Sequence, residues 1–403
     1  MAVRFLNQEL SDLCLGKPVL RPVKEASSIA EAVAALKRSG EAHVSVWRCS
    51  DHSREVPEGE DCRCVGKISM VDVICYLCKE ENLGRVSEAL ESPVSEILPK
   101  GLPIVRHMEP DSSLLEAIDC ILEGTQNLII PIQQSYSSSH SRRKQHLSSS
   151  SNHHGVEYCW LTQEDVVRFL LNSIGIFSPL PTFTIESLGI IVSRDDTMTI
   201  PYHEPAANAL SSVARAHAQQ TSIAVVDDDA RLIGEISPST LSYCDETVAA
   251  AVMTLSAGDL MAYIDCGGPT EDLVELVKQR AGERNLGALL GVVMEEEYSV
   301  SSVSSSSASS CSSDDESLLS KSSGSGNYYC LRRSEAITCY PWSSLVAVMI
   351  QALAHRASSV WVIQEDQSLV GIVTYKEMLR VFRSIANPLP NKPKPGRNHT
   401  NHL

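Results

Sequence analysis

Four stretches of the chain close a short apolar run with a hydroxyl side chain and open a helix-like run directly after it. In "CVGKISMVDVI" the hydroxyl is Ser69 and Asp72 follows three residues on; in "CWLTQEDVV" the pair is Thr162 and Asp165. "LIGEISPSTL" offers Ser237 with Thr240, and "LVGIVTYKEML" offers Thr374 with Glu377. This spacing makes a capping box. The hydroxyl accepts from the third helical N–H, and the acid reaches back to the N–H of the cap. Other chemistry-bearing residues are sparser. Cys49, His52, Cys62 and Cys64 could furnish a Cys₃His zinc set, but Cys62-x-Cys64 is tighter than the usual spacing and Cys64 opens a strand. Cys75-x-x-Cys78 falls on a helix beside Ile74 and Leu77 and reads as packing. The chain has no P-loop, no His-Glu-x-x-His, no Gly-x-Ser-x-Gly and no dinucleotide glycine fingerprint, so an enzyme reading has nothing to stand on.

The elements that must hold these joints repeat with them. "SSIAEAVAALKRSG" reads as a helix capped by Ser28 and Glu31, with Ile29, Val33 and Leu36 on one face and Gly40 as its stop. "SSLLEAIDCILEG" repeats the pattern with Ser113, Glu116 and Gly124. "HEPAANALSSVARAHA" places Pro205 at the first helical position, and "SSLVAVMIQALAHR" gives the fourth helix. Strands follow each, with tight turns at 227–230 and 365–368 in the last two copies. Each unit is therefore strand, helix, two strands, helix. Four copies predict a mixed α/β (α+β) class with small sheets covered by helices.

Composition bounds the rest. A formal charge of −16 argues against nucleic acid or an anionic membrane as partner. The most apolar window, "VAAAVMTLSAGDLMAYI", is interrupted by Thr254, Ser256 and Asp259 and fails as a membrane span. The 13 cysteines and the absence of a signal-peptide core read as reduced thiols in a cytoplasmic, or alternatively nuclear, protein; Arg142-Arg143-Lys144 is too short to decide between the two. The units divide into a first pair over 1–172, with modules at about 10–82 and 94–172 and a Ser-rich insertion at 133–156. A linker at 173–186, centred on Pro179 and Pro181, leads to a second pair over 187–388, with modules at about 187–256 and 257–388. A second Ser-rich insertion covers 299–327, and 389–403 reads as a flexible tail. The segment "TEDLVELVKQRAGERNLGALLGVVM" reads as an extra helix and strand of the fourth unit.

The fourfold pattern resembles the CBS module, the regulatory repeat named after cystathionine β-synthase. Its motif is Gly, two residues, Ser or Thr, two residues, Asp at a strand-to-helix joint. Gly66 to Asp72 matches in full; Cys159 replaces the glycine before Thr162 and Asp165, Thr240 replaces the acid in the third copy, and Glu377 replaces it in the fourth. The tandem arrangement is similar to plant CBS-domain-containing proteins and, more distantly, to the gamma subunit of AMP-activated protein kinase. The resemblance implies two tandem discs, each of two modules with clefts between them. It also implies sensing of an adenosine-containing ligand (AMP, ADP, ATP or S-adenosylmethionine), with the hydroxyl near phosphate or ribose and the acid on the ribose hydroxyls. A regulatory, non-catalytic role with no required cofactor follows, with a protein partner such as a kinase or metabolic enzyme, and with self-association through helices.

On that implication Ser69, Asp72, Thr162 and Asp165 are the favoured ligand residues, because Glu377 is longer by a methylene and Thr240 carries no charge. Arg21 and Lys24, or Arg106 and His107, are the candidate phosphate donors, against a solvated strand end for each. The capping box explains the same residues without a ligand, and the alternative function is a ligand-independent interaction scaffold. Ser312 and Ser313 each precede an acid by three residues, Asp315 and Glu316, and are expected phosphorylation sites for an acidophilic kinase.

Overall fold

The computed structural model describes residues 1–48, 63–99, 104–132, 156–265, 269–290 and 336–386. Helices α1 (Ala2–Leu6) and α2 (Ser11–Cys14) precede the first unit. That unit runs β1 (Pro22–Lys24), α3 (Ile29–Ser39), β2 (His43–Arg48), β3 (Arg63–Ser69) and α4 (Met70–Leu77), with α5 (Val86–Glu91) behind it. The second unit runs β4 (Val105–His107), α6 (Leu114–Leu122), β5 (Asn127–Ile132), β6 (Glu157–Thr162) and α7 (Gln163–Asn172). After β7 (Val192–Ser193) the third has β8 (Met198–Pro201), α8 (Leu210–Gln219), β9 (Ile223–Val226), β10 (Leu232–Ile236) and α9 (Pro238–Leu241). Helices α10 (Val248–Thr254), α11 (Ala257–Tyr263) and α12 (Glu271–Glu283) follow. The fourth unit has β11 (Thr338–Cys339), α13 (Leu345–Ala354), β12 (Ser359–Ile363), β13 (Leu369–Thr374) and α14 (Tyr375–Ala386).

In every unit the first strand pairs parallel with the second and the second antiparallel with the third. A parallel pair needs a crossover, and the first helix of each unit supplies it. The helix ends follow the sequence. Ser28 Oγ accepts from the Glu31 N–H at 3.2 Å, Gly40 closes α3 at φ 64°, and Ser113 with Glu116 forms a complete capping box. The third unit departs from expectation: Pro205 is extended (φ −57°, ψ 129°) and starts a 3-10 turn over Ala206–Ala209, so α8 begins only at Leu210.

Units pair through their sheets. Leu20, Trp47, Cys64, Val105 and Ile129 join the first to the second, and Ala224, Leu232, Trp361 and Ile372 join the third to the fourth. The larger cores run between the pairs on the helical side. Ile29, Val33 and Ile74 of the first unit share one with Ala216 and Val248 of the third. Leu114, Ile118 and Val167 of the second share another with Val348, Met378 and Phe382 of the fourth. Each such side chain contributes about 1.5–3 kcal/mol on burial, so the two pairs are mutual lids. The helix faces through which self-association was expected, α4 against α8 and α6 and α7 against α14, are used within the chain.

Three boundaries move. Residues 173–186 are not a linker but part of the fourth unit's core. Phe177 is buried with its ring 5.6 Å from Phe5 and 4.9 Å from Phe382, Ile185 is fully buried, and the Ile185 N–H donates to Ser343 O at 3.0 Å. Strand β7 lies in sequence before the third unit yet adds to the fourth unit's sheet beside β13. That approach explains Gly371, since a Cβ there would stand 2.0 Å from the Val192 carbonyl oxygen. Helix α12 packs on α10, and its Val277 and Ala281 enter the core shared by the first and third units, so it does not belong to the fourth. Cys49, His52, Cys62, Arg142 to Lys144, Ser312, Ser313, the strand expected after residue 290 and the tail lie outside the described residues. No helix among the described residues is long and apolar enough to cross a membrane.

Candidate functional site

The residue two positions before the hydroxyl differs at each joint. These residues are Lys67, Trp160, Glu235 and Ile372. Lys67 is buried and its Nζ donates to Asn127 Oδ1 of the second unit at 2.6 Å. Trp160 lies with its ring 5.5 Å from that of His43 in the first unit. Glu235 Oε2 accepts from Nε1 of the fully buried Trp361 at 2.7 Å. Three joints thus meet a side chain of the partner unit with one of their own.

Ile372 packs in the apolar seam with the third unit, and a cavity of about 490 Å³ lies beside it. Such a volume falls within the usual range of small-molecule sites, about 300–1,000 Å³. Thr374, Lys376 and Glu377 line it from the fourth unit, Thr197 and Thr221 from the third, and Gln126 and Gln163 from the second. A second cavity of about 410 Å³ runs along α4 past Asp72, Cys75 and His217, sharing Gln126 with the first.

The acids of the first pair are spent on their own helices. Asp72 accepts from the Ser69 N–H and hydroxyl, both at 2.8 Å, and faces His217 Nε2 across the pair boundary at 3.4 Å. Burial pushes the Asp72 carboxyl up, but His217 and the Ser69 donors outweigh it and hold the group below its ordinary value. Asp165 accepts from the Thr162 N–H (2.8 Å) and hydroxyl (2.7 Å) and pairs with Lys17 at 2.7 Å. Glu377 behaves differently. Its N–H donates to Thr374 Oγ1 at 3.3 Å, while its carboxylate turns to Arg380.

Around Lys67 the low dielectric sets the charges. Burial pushes the ammonium down to about 8, against the pull of Asp72. Burial, and then the charge of Lys67, holds His43 well below its usual value, so its ring is neutral at pH 7. The expected phosphate donors are elsewhere. Arg106 is exposed and pairs with Glu123 at 3.0 Å, and Arg21 is exposed with its backbone oxygen taken by Ser45 Oγ; neither lines either cavity. Ser69 with Asp72 and Thr162 with Asp165 form two separate caps. Asp72 borders the second cavity, and Thr374 and Glu377 border the first together with Gln163, the residue after Thr162.

Lys376 and Gln126 were not singled out in the sequence. Lys376 could have been, as the lysine inside the fourth joint; Gln126 carries no local signal, since its neighbours come from another unit. Cys64 sits in the apolar seam between the first two sheets, where burial pushes its thiol up to about 12, and burial does the same to Cys75 and Cys78. None of the three is poised as a thiolate.

No family model matches the chain. It is 45% identical over 394 residues to the CBS domain-containing protein CBSX5 of Arabidopsis thaliana, covering 95% of this chain and 98% of that one. It is 28% identical to CBSX6 of the same plant, over 94% of each. A more distant relative, at 19% identity over 79% of this chain and 76% of its own, is the Arabidopsis SNF1-related protein kinase regulatory subunit gamma-like PV42b. Among solved structures, protein MJ1225 of Methanocaldococcus jannaschii superposes with a TM-score of 0.54 at 15% identity, over 93% of this chain and 99% of that one.

Proposed function

The chain belongs to the family of CBS domain-containing proteins, and from that premise we propose that it is a non-catalytic regulator that takes an adenosine-containing ligand at the Thr374 cleft. The observation that supports this reading is the cavity of about 490 Å³ at the fourth joint, edged by the hydroxyls of Thr374, Thr197 and Thr221 with Lys376 beside them. Thr374, Thr197 and Thr221 supply donors and acceptors suited to a ribose diol. Among the described lining residues Lys376 is the one cation, set against Asp196 and Glu377. One phosphate, or the cationic sulfonium of S-adenosylmethionine, is matched better there than the three phosphates of ATP. A ligand regulates only by binding two states unequally, and here those states are the tight and loosened arrangements of the surfaces that a protein partner, a kinase or a metabolic enzyme, would read.

Calorimetric titration of AMP, ADP, ATP and S-adenosylmethionine into wild type, Thr374→Val and Asp72→Ala tests the site. Saturable binding lost in Thr374→Val and kept in Asp72→Ala is expected. Loss in Asp72→Ala alone would return the site to the first pair. Absence of binding by every ligand would leave the second reading, a constitutive scaffold, which the Lys67–Asn127 and Glu235–Trp361 contacts favour at their own clefts.

A further inference from the structure

Two of the exposed aromatic side chains are held rigidly together. Tyr340 and Trp342 are 40% and 52% exposed, and their rings stack in parallel planes with centroids 4.9 Å apart. The turn between β11 and α13 sets them there. The Ser343 N–H donates to Tyr340 O at 2.9 Å, and the Tyr340 N–H donates to Ser343 Oγ at 3.1 Å. Pro341 takes the second position, where its fixed φ suits such a turn. A second segment runs alongside. The Glu186 N–H donates to Pro341 O at 3.1 Å, the Ile185 N–H to Ser343 O at 3.0 Å, and the Leu345 N–H to Phe183 O at 3.0 Å. Those bonds bring two more exposed residues, Phe183 and the carboxylate of Glu186, beside the stacked pair.

Single exposed apolar side chains are ordinary, but large rings preset on a turn form the kind of surface on which proline-rich segments dock. The chain carries such a segment. Its tail, "NPLPNKPKPGRNHTNHL" over 387–403, contains Pro390-Asn391-Lys392-Pro393, a P-x-x-P pattern, followed by Lys394 and Arg397 and no acid. We infer that this tail docks on the Tyr340–Trp342 turn of its own chain. Polyproline II has three residues per turn, so Pro390 and Pro393 share one edge and meet the rings together. Lys392 and Lys394 fall on the flanking edges, within the field of Glu186. Charge favours the same docking, since a basic tail returns to a chain whose net charge is −16. The reach is sufficient. Helix α14 ends at Ala386, and its last residues pack on the core that holds Leu345, close after Trp342. From Ala386 to Pro393 the tail spans about 22 Å in polyproline II.

Acrylamide quenching of tryptophan fluorescence in the full chain tests the docking, because Trp342 is exposed whereas Trp47 and Trp361 are buried. Pro390→Ala combined with Pro393→Ala is expected to raise the quenching constant about twofold by uncovering Trp342. The same pair of substitutions added to Trp342→Phe should change nothing, which assigns the rise to that ring. Equal quenching with and without the two prolines overturns the inference and assigns the turn to some other occupant. A rise in wild-type quenching on dilution overturns it as well, since the tail would then come from a second copy. A photoreactive p-benzoylphenylalanine in place of Tyr340 gives an independent reading in the full chain. Cross-links within 388–397 of the same molecule are expected, and cross-links confined to other segments overturn the inference.

Discussion

The second and fourth joints occupy equivalent places in their pairs, and one residue separates them. Where β6 carries Trp160 against His43, β13 carries Ile372 in the apolar seam with the third unit, and the first cavity lies beside it. Their acids diverge in step. Asp165 folds onto its own helix start and onto Lys17, while Glu377 leaves its cap and pairs with Arg380. The comparison teaches that one joint motif serves two local geometries: Asp165 closes a capping box, whereas Glu377 turns its carboxylate to a neighbouring arginine.

The largest effect expected from breaking that contrast is at the third joint. Trp361→Ala removes a fully buried indole and its hydrogen bond to Glu235, and should lower unfolding stability by about 3–5 kcal/mol in chemical denaturation. A loss under about 1 kcal/mol would mean that the cleft is not held shut by that contact. Next comes Ile372→Trp, which gives the fourth joint the second joint's residue. Affinity for the ligand should fall about 100-fold, some 2.7 kcal/mol, with stability lowered by about 1–3 kcal/mol as the larger ring overpacks the seam; undiminished binding by the folded variant would show that the ligand does not enter beside β13.

Lys67 offers a subtler test, through pH. Its pKa lies near 8 in the folded protein against an ordinary 10.5, so the unfolded chain holds the proton more firmly. The charged lysine therefore costs stability below pH 8, and stability should rise from pH 8 towards 10.5 by at most about 3 kcal/mol. Lys67→Met should lack that rise and be no less stable than wild type at pH 7, because an apolar chain of similar length avoids the buried charge. Parallel alkaline limbs in the two proteins would show that the ammonium is hydrated. Smallest is Asp72→Asn. The depressed carboxyl contributes stability above the ordinary carboxylate range and loses it as pH falls through the folded-state value. The variant should be less stable by about 1–2 kcal/mol at pH 7, with the gap closing in acid; a gap constant with pH would assign the loss to packing.

What the sequence made legible was local. Ser69 with Asp72 and Ser113 with Glu116 are read from three-residue spacings, and Gly40 from its place after a periodic run, because a cap is made by atoms a few residues apart. Residues 173–186 were misread for the opposite reason. Pro179 and Pro181 look like a linker in composition, but Phe177 and Ile185 are buried by elements far away in the chain. Helix α12 was assigned to the unit that follows it, although Val277 and Ala281 face the unit before it. Lys67, Trp160, Glu235 and Ile372 were in plain view, one per repeat. Their meaning lay in Asn127, His43, Trp361 and the third unit's side of the seam, and no spacing along the chain reveals which residue stands opposite.

The seating of α1 against α14 sets a timetable for the chain's birth. Leu6 and Phe5 lie in the core that holds Phe177 and Phe382, so segments near opposite ends of the sequence complete one another. A ribosome adding about 5–20 residues per second needs many seconds to travel between them. Throughout that interval α1 has only the second unit to lie on, through Phe5 against Phe169, and the surface that meets α14 stays bare. Contacts this distant in sequence make closure slow, and the surface they cover stays exposed until α14 has been made.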